Sequence, residues 1–302
     1  MTEQVGPSVP SQSILQRFVF PGVFVFTATV SRKVISASTI WISAIGALLL
    51  FANSVVGVTK PQKKRAASGQ ETPPELLPAG APFATDDPEP PTTGGWEINV
   101  PFILERTPGT TDMDAPLFDL NYGLPGIQLK LAAPVKIVQE DSSGTVAGIG
   151  DTLIGVKWRF FNSKKSQLEL AISPQLLVPS GDHARGLGEG GTAFALPLAA
   201  QKTWDKWTLY GNVGFWWRTG AETRNYFYAS AVLEREISKR LTLGVELFGN
   251  PPTEPGGGSD VGFNVGGSWK LRKHVNVLFT AGRDIVGDKT ALAYIGLQFL
   301  TK

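Results

Sequence analysis

The chain has 302 residues with two histidines and no cysteine, so nucleophilic or general-base chemistry has few places to sit. His183 follows Asp182 in the run Ser180-Gly181-Asp182-His183. A serine-type hydrolase would need a hydroxyl in hydrogen-bond reach of an imidazole, and an Asp–His protease would need the last two residues around a bound water. A single loop histidine beside an aspartate is the common arrangement of a solvated turn, and His274 falls in a different turn. No catalytic residue is assigned on this basis. Nor do histidines or carboxylates fall at metal-ligand spacing, so no metal and no cofactor is expected. The 28 basic and 26 acidic residues are scattered and leave a net charge of +2, which gives no basic face for nucleic acid.

More informative are polar and charged residues at alternate positions of otherwise apolar runs. Glu97, Asn99, Gln128, Lys130, Lys157, Arg159, Glu169, Gln175, Tyr210, Asn212, Glu246, Asn264 and Lys270 are the candidates for lining an interior. Both signs are present, and two chemistries follow. Lys130, Lys157 and Arg159 can pair with Glu169 and Glu246 and fill the space, or the same groups can line a narrow polar path with mild selectivity.

Strands are the elements that must hold these residues. Trp96, Ile98, Val100 and Phe102 alternate with Glu97 and Asn99, and Ile154, Val156, Trp158 and Phe160 alternate with Gly155, Lys157 and Arg159. This period of two recurs through the last two-thirds of the chain. It predicts about twelve strands, beginning near Gly94, Ala115, Gly126, Ile149, Gln167, Thr192, Lys206, Arg224, Arg240, Asp260, His274 and Thr290. Connections sort into tight ones, such as Asn162 to Ser166, and long ones, at Arg106 to Asp114, Gln139 to Gly148, Ser180 to Gly191, Arg218 to Thr223, Asn250 to Ser259 and Asp284 to Lys289. Alternating short and long connections are what an antiparallel up-and-down transmembrane β-barrel produces, with the short turns and both barrel ends on the periplasmic side. Tryptophans near strand ends fit two aromatic girdles. A soluble sandwich or lipocalin-like barrel has the same period, but its apolar faces would carry fewer terminal tryptophans.

Three segments follow. Residues 1–57 read as a targeting segment. A signal-like helix spans Val34 to Val58 after the basic pair Arg32-Lys33, and its small residues near Gly57 fit cleavage. The first thirty residues lengthen the n-region beyond the usual, which places the expected start of translation further along. Val34 to Val58 is also long enough for an uncleaved anchor. Residues 58–93 are rich in proline and charge without periodicity and read as a disordered, flexible periplasmic linker; plugging the barrel or contacting the cell wall, on the hint of the basic cluster Lys63-Lys64-Arg65, is the alternative for this segment. Residues 94–302 are the barrel, which is all-β.

Within the barrel, Gly148-Ile149-Gly150-Asp151-Thr152 opens a strand that ends in Lys157-Trp158-Arg159-Phe160. After a hairpin come Leu177-Val178-Pro179-Ser180-Gly181-Asp182 and Gly186-Leu187-Gly188. This pattern resembles the MetA-pathway phenol-degradation family of outer-membrane barrel proteins, with Ser180 where that family usually has threonine. The resemblance covers the barrel and omits roughly the first ninety residues. It implies a barrel in the outer membrane of a Gram-negative-type bacterium that lets small molecules, aromatic or hydrophobic ones among them, cross that membrane. Its partners would be outer-membrane lipid, the barrel-assembly machinery during biogenesis and a small solute, with no nucleic acid and no oligomeric state implied. Without the resemblance, Gly150, Asp151, Pro179, Gly181 and Asp182 read as turn builders: carboxylates accept from backbone N–H groups, glycines supply positive φ, and proline ends a ladder. A closed barrel with a structural or interaction role through its outer loops is the alternative. A further route takes apolar solutes through the wall, where Pro101, Pro134, Pro174 and Pro197 could interrupt pairing.

Overall fold

The computed structural model describes residues 81–220, 223–253, 257–287 and 290–302. The expected targeting segment, residues 1–57, and the first part of the expected linker, residues 58–80, lie outside the described residues.

Twelve antiparallel strands close on themselves. They are β1 (Trp96–Thr107), β2 (Thr110–Leu124), β3 (Ile127–Glu140), β4 (Gly144–Ile149 and Thr152–Ser163), β5 (Leu168–Ile172 and Gln175–Val178) and β6 (Ala193–Ala195 and Leu198–Trp204). The second half comprises β7 (Trp207–Arg218), β8 (Tyr226–Ser238), β9 (Leu241–Asn250), β10 (Asp260–Arg272), β11 (Val275–Val286) and β12 (Ala291–Leu300). Each strand pairs with its neighbours in sequence, and β12 returns to β1 in a long register from Glu97↔Leu300 to Arg106↔Ala291. Closure leaves no unpaired edge, as a sheet in hydrocarbon requires.

β4, β5 and β6 are interrupted at Gly150-Asp151, Ser173-Pro174 and Leu196-Pro197. The wall nevertheless stays bonded across the breaks. Gly150 N donates to Pro134 O (3.0 Å), Val156 N to Pro174 O (3.0 Å) and Ser173 N to Pro197 O (3.0 Å). Pro101 falls within a register shift between β1 and β2. These prolines therefore sit at kinks and bulges, which re-aim a strand without parting it from its neighbour.

The short-turn end matches the sequence expectation, but two connections at the other end do not. Arg106 to Asp114 and Gln139 to Gly148 were expected to be long. In the structure they are tight hairpins, because β2 begins at Thr110 and β4 at Gly144, with Gly109 and Gly144 in the left-handed region (φ 96° for both). Their Thr, Asp and Ser residues resemble loop composition yet continue the ladder above the apolar belt. The remaining long connections, 179–192, 219–225, 251–259 and 287–290, are at the same end.

Apolar alternates face out and polar alternates face in. Phe102, Ile154, Val213, Phe227, Val245, Leu247, Val265 and Ile295 are exposed on the outer wall, while Asn99, Gln128, Lys130, Lys157, Asn212, Glu246 and Asn264 are buried inside. Aromatic rings gather towards both ends. Trp96–Tyr122 (4.9 Å between centroids) and Trp158–Phe160 (5.9 Å) lie towards the short-turn end, and Phe194–Trp217 (5.5 Å) and Phe215–Phe227 (4.4 Å) towards the long-loop end. That distribution is the one a bilayer selects. A charge on this belt has a depth-dependent cost. Val265→Lys, cross-strand from Val245 at mid-height, is expected to destabilise the barrel by about 2–4 kcal/mol. Urea titration of folding in lipid vesicles measures this; an unchanged midpoint would show that Val265 does not face lipid.

Candidate functional site: the barrel interior

The described end of the predicted linker does not hang free. Phe83 is fully buried against Tyr210 and Val232, Thr85 and Asp86 are buried, and Ala81 packs on apolar side chains of the inner wall. The segment enters at the short-turn end, where Gly94 N donates to Gly123 O (2.7 Å), and reaches the middle heights of β4, β7 and β9. A proline-rich stretch has few backbone donors, and this one finds acceptors for them on wall side chains.

Three wall residues hold it. Glu246, 0 % exposed, accepts from Thr85 N (2.7 Å), Thr85 Oγ1 (2.6 Å), Ala84 N (3.3 Å) and Asn264 Nδ2 (2.6 Å). Asn212 brackets Asp86, its Oδ1 accepting from Asp86 N (2.7 Å) and its Nδ2 donating to Asp86 O (2.8 Å). Lys157 Nζ donates to Asp86 Oδ1 at 2.7 Å and lies 4.0 Å from Asp87. A buried carboxylate or ammonium is tolerated only when paired and bonded in this way.

The other interior candidates form local networks. Asn99 Nδ2 donates to Glu97 Oε1 (3.2 Å) and to Asp119 Oδ2 (2.9 Å), and Lys130 pairs with Asp119 at 3.2 Å. Gln128 Nε2 donates to Asn121 Oδ1 (2.7 Å), and Arg159 pairs with Glu169 at 2.7 Å. Tyr210 donates weakly to Glu234 (3.3 Å). Gln175 is buried with its stem towards Gly155, and Lys270 is exposed at the short-turn mouth. Of the pairings considered from sequence, Arg159–Glu169 forms; Lys130 and Lys157 find aspartates instead, and Glu246 binds backbone of the inserted segment.

An apolar collar shares the interior with these polar groups. Ala132, Leu153, Leu177 and Ala193 are successive cross-strand neighbours on β3, β4, β5 and β6. Ile103, Leu117, Leu278 and Tyr294 belong to the same buried cluster.

The turn residues separate into two kinds. Asp151, at the break in β4, accepts from Gly181 N through Oδ1 (2.8 Å) and from Glu189 N through Oδ2 (2.7 Å), which folds the 179–192 loop against the wall. Gly181 and Gly188 approach so closely that a Cβ at Gly188 would meet the Asp151 carboxylate, and Leu187 is buried beneath the loop. Gly150 lends its carbonyl to Ser180 Oγ (3.0 Å), and Pro179 is exposed just past the end of β5. Asp182 precedes a short 3-10 turn, His183–Arg185, but its side chain makes no cap hydrogen bond. The His183 ring lies 3.0 Å from Gly188 O. Arg218 then ties this loop to the 251–259 loop, pairing with Glu189 (2.8 Å) and reaching Thr253 O (3.5 Å).

Sequence reasoning did not single out Phe83, Thr85, Asp86, Glu189 or Arg218. The available signal for the inserted segment was the set of inward-facing polar groups at mid-height, Lys157, Asn212 and Glu246, on strands that are not neighbours.

Several solved structures align with this barrel. The crystal structure of the COG4313 outer membrane channel from Pseudomonas putida F1 aligns with a TM-score of 0.62 at 16% identity, over 71% of this chain and 97% of that one. The KdgM porin aligns with a TM-score of 0.46 at 12% identity (67% and 98% covered), and the NanC porin with 0.47 at 9% (67% and 98%). No curated protein sequence matches. The sequence profile described as "Putative MetA-pathway of phenol degradation" matches residues 65–295, which takes in the inserted segment and nearly all of the barrel, and the chain belongs to that family.

Proposed function

We propose that this protein is an outer-membrane channel for the passive passage of small molecules, and that the inserted segment at residues 81–91 sets how open it is. One observation carries the reading: the interior is occupied by a separate stretch of chain held through side-chain hydrogen bonds to Glu246, Asn212 and Lys157. Such contacts can be exchanged for water or solute, whereas a barrel packed shut by its own wall has nothing to withdraw. An apolar outer belt supports residence in the outer membrane of a Gram-negative-type bacterium, with lipid as its surroundings and the barrel-assembly machinery as its partner in biogenesis. The shared fold of the P. putida outer membrane channel supports passage, and the family's link to phenol degradation supports small aromatic solutes. The apolar collar around Leu153 and Leu177 favours solutes with an apolar body over sugars, since it offers few hydrogen bonds to replace water besides the Tyr294 hydroxyl. Nothing in this reading requires a catalytic group.

Planar-bilayer recording and liposome swelling test it together. The expected result is small, stable conductance steps, with faster swelling for a small phenol than for a sugar of similar mass. A folded barrel that conducts nothing and passes neither solute would favour the structural role through the outer loops.

A further inference from the structure

The short-turn mouth of the barrel holds a cavity of about 360 Å³. Five cations line it: Lys206, Lys239, Arg240, Lys270 and Lys273. They come from three successive tight turns and the adjoining end of β10, so the fold brings together charges far apart in sequence.

Their pairing differs from that of the cations deeper in the barrel. There Lys130, Lys136, Lys157 and Arg159 each meet a carboxylate, at 3.2, 3.1, 2.7 and 2.7 Å. At the mouth, none of the five forms an ion pair or a side-chain hydrogen bond among the described residues. Three carboxylates share the lining, Asp205, Glu234 and Glu236, which leaves cations in excess. Of these, Glu234 already accepts from Tyr210. Thr208, Thr242 and Ser268 add hydroxyl donors to the same wall.

Unpaired like charges around a concave space raise the local potential and concentrate counter-ions. Carboxylates and phosphates are the groups that lysine, arginine and hydroxyls bind with charge-assisted hydrogen bonds. We propose that the short-turn mouth is a binding site for a small organic anion bearing carboxylate or phosphate groups. The site is independent of passage through the barrel, and its test needs no transport.

Calorimetric titration of citrate into the full-length protein, refolded in a non-ionic detergent at low salt, reads the site directly. Saturable binding is expected. The triple variant Lys239→Gln/Lys270→Gln/Lys273→Gln should weaken it by about tenfold or more, as loss of three charge-assisted contacts implies. Lys164→Gln/Lys165→Gln removes two cations from another turn at the same end that does not line the cavity, and should leave binding intact. Heat-modifiable migration on gels confirms that each variant is a folded barrel. No citrate binding by the wild type, a triple variant that binds as the wild type does, or an equal loss in the Lys164/Lys165 control would each overturn the proposal. Adding phosphatidylglycerol to the micelles separates the sources of the anion. Displacement of citrate assigns the site to lipid headgroups, undiminished binding assigns it to soluble anions, and both support the anion chemistry.

Discussion

Glu246→Ala opens the barrel. The wild-type carboxylate accepts two backbone N–H groups and a hydroxyl from residues 84–85 and one amide from Asn264, all inside a wall that admits little solvent. Removing it leaves those donors without an acceptor and Asp86 and its neighbours with fewer anchors. Each buried donor left without an acceptor costs about 1–3 kcal/mol, and the segment supplies three of the four, so the loss is on the order of 3–4 kcal/mol or more. At about 1.4 kcal/mol per factor of ten, the ratio of docked to undocked segment falls by roughly 10²–10³. The segment contributes no strand, and the closed β1–β12 ladder does not depend on it, so the cost falls on docking rather than on the barrel. The expected readout is a larger single-channel conductance and faster liposome swelling, with wild-type heat modifiability. Glu246→Gln keeps one oxygen acceptor and should fall between. Should Glu246→Ala fold and conduct as the wild type does, residues 81–91 would not control passage.

The strands were legible because a barrel wall in lipid writes its two environments onto alternate residues. Ile154, Val156 and Trp158 face lipid while Gly155, Lys157 and Arg159 face inward, and no tertiary context could reverse that order without burying Lys157 in hydrocarbon. The rim was less legible. Thr110 to Asp114 and Gly144 to Gly148 lie beyond the apolar belt, where a strand needs no apolar face, so their composition reads as loop while their backbone continues the ladder. The inserted segment was read as a linker for a different reason. Its partners are 126 and 161 residues away, and the stabilisation comes from matching proline-poor donors at 84–86 to acceptors on separate strands, which leaves no local period. The same limit applies to the turn aspartates. Both Asp151 and Asp182 stand beside glycine, yet only the first has two backbone donors aimed at it, and that depends on how the 179–192 loop folds back.

Asp151→Ala should therefore detach that loop, while Asp182→Ala should change little. The Asp151 carboxylate is buried and accepts from Gly181 N and Glu189 N on either side of the short 3-10 turn. Each backbone N–H left unsatisfied costs about 1–3 kcal/mol. The loop's ends are tied by Ser180 Oγ to Gly150 O and by Thr192 O to Thr219, whereas its middle is held otherwise only by the Arg218–Glu189 pair, the contact of Arg185 with Ala147 O and the burial of Leu187. Those end contacts leave the span around the short turn without its two central anchors, and Glu189 is displaced along with its N–H. Without Glu189 facing it, the Arg218 guanidinium keeps its long contact to Thr253 O alone, so the tie between the two loops is lost. Limited trypsin digestion of the refolded barrel reports the change at Arg185, which is exposed but held in the short turn. Cleavage there should be at least about tenfold faster in Asp151→Ala, because proteolysis follows the population of the open loop. Asp182→Ala, whose side chain caps nothing, should be cut at the wild-type rate. Equal cleavage of both variants would mean that Asp151 does not hold the loop.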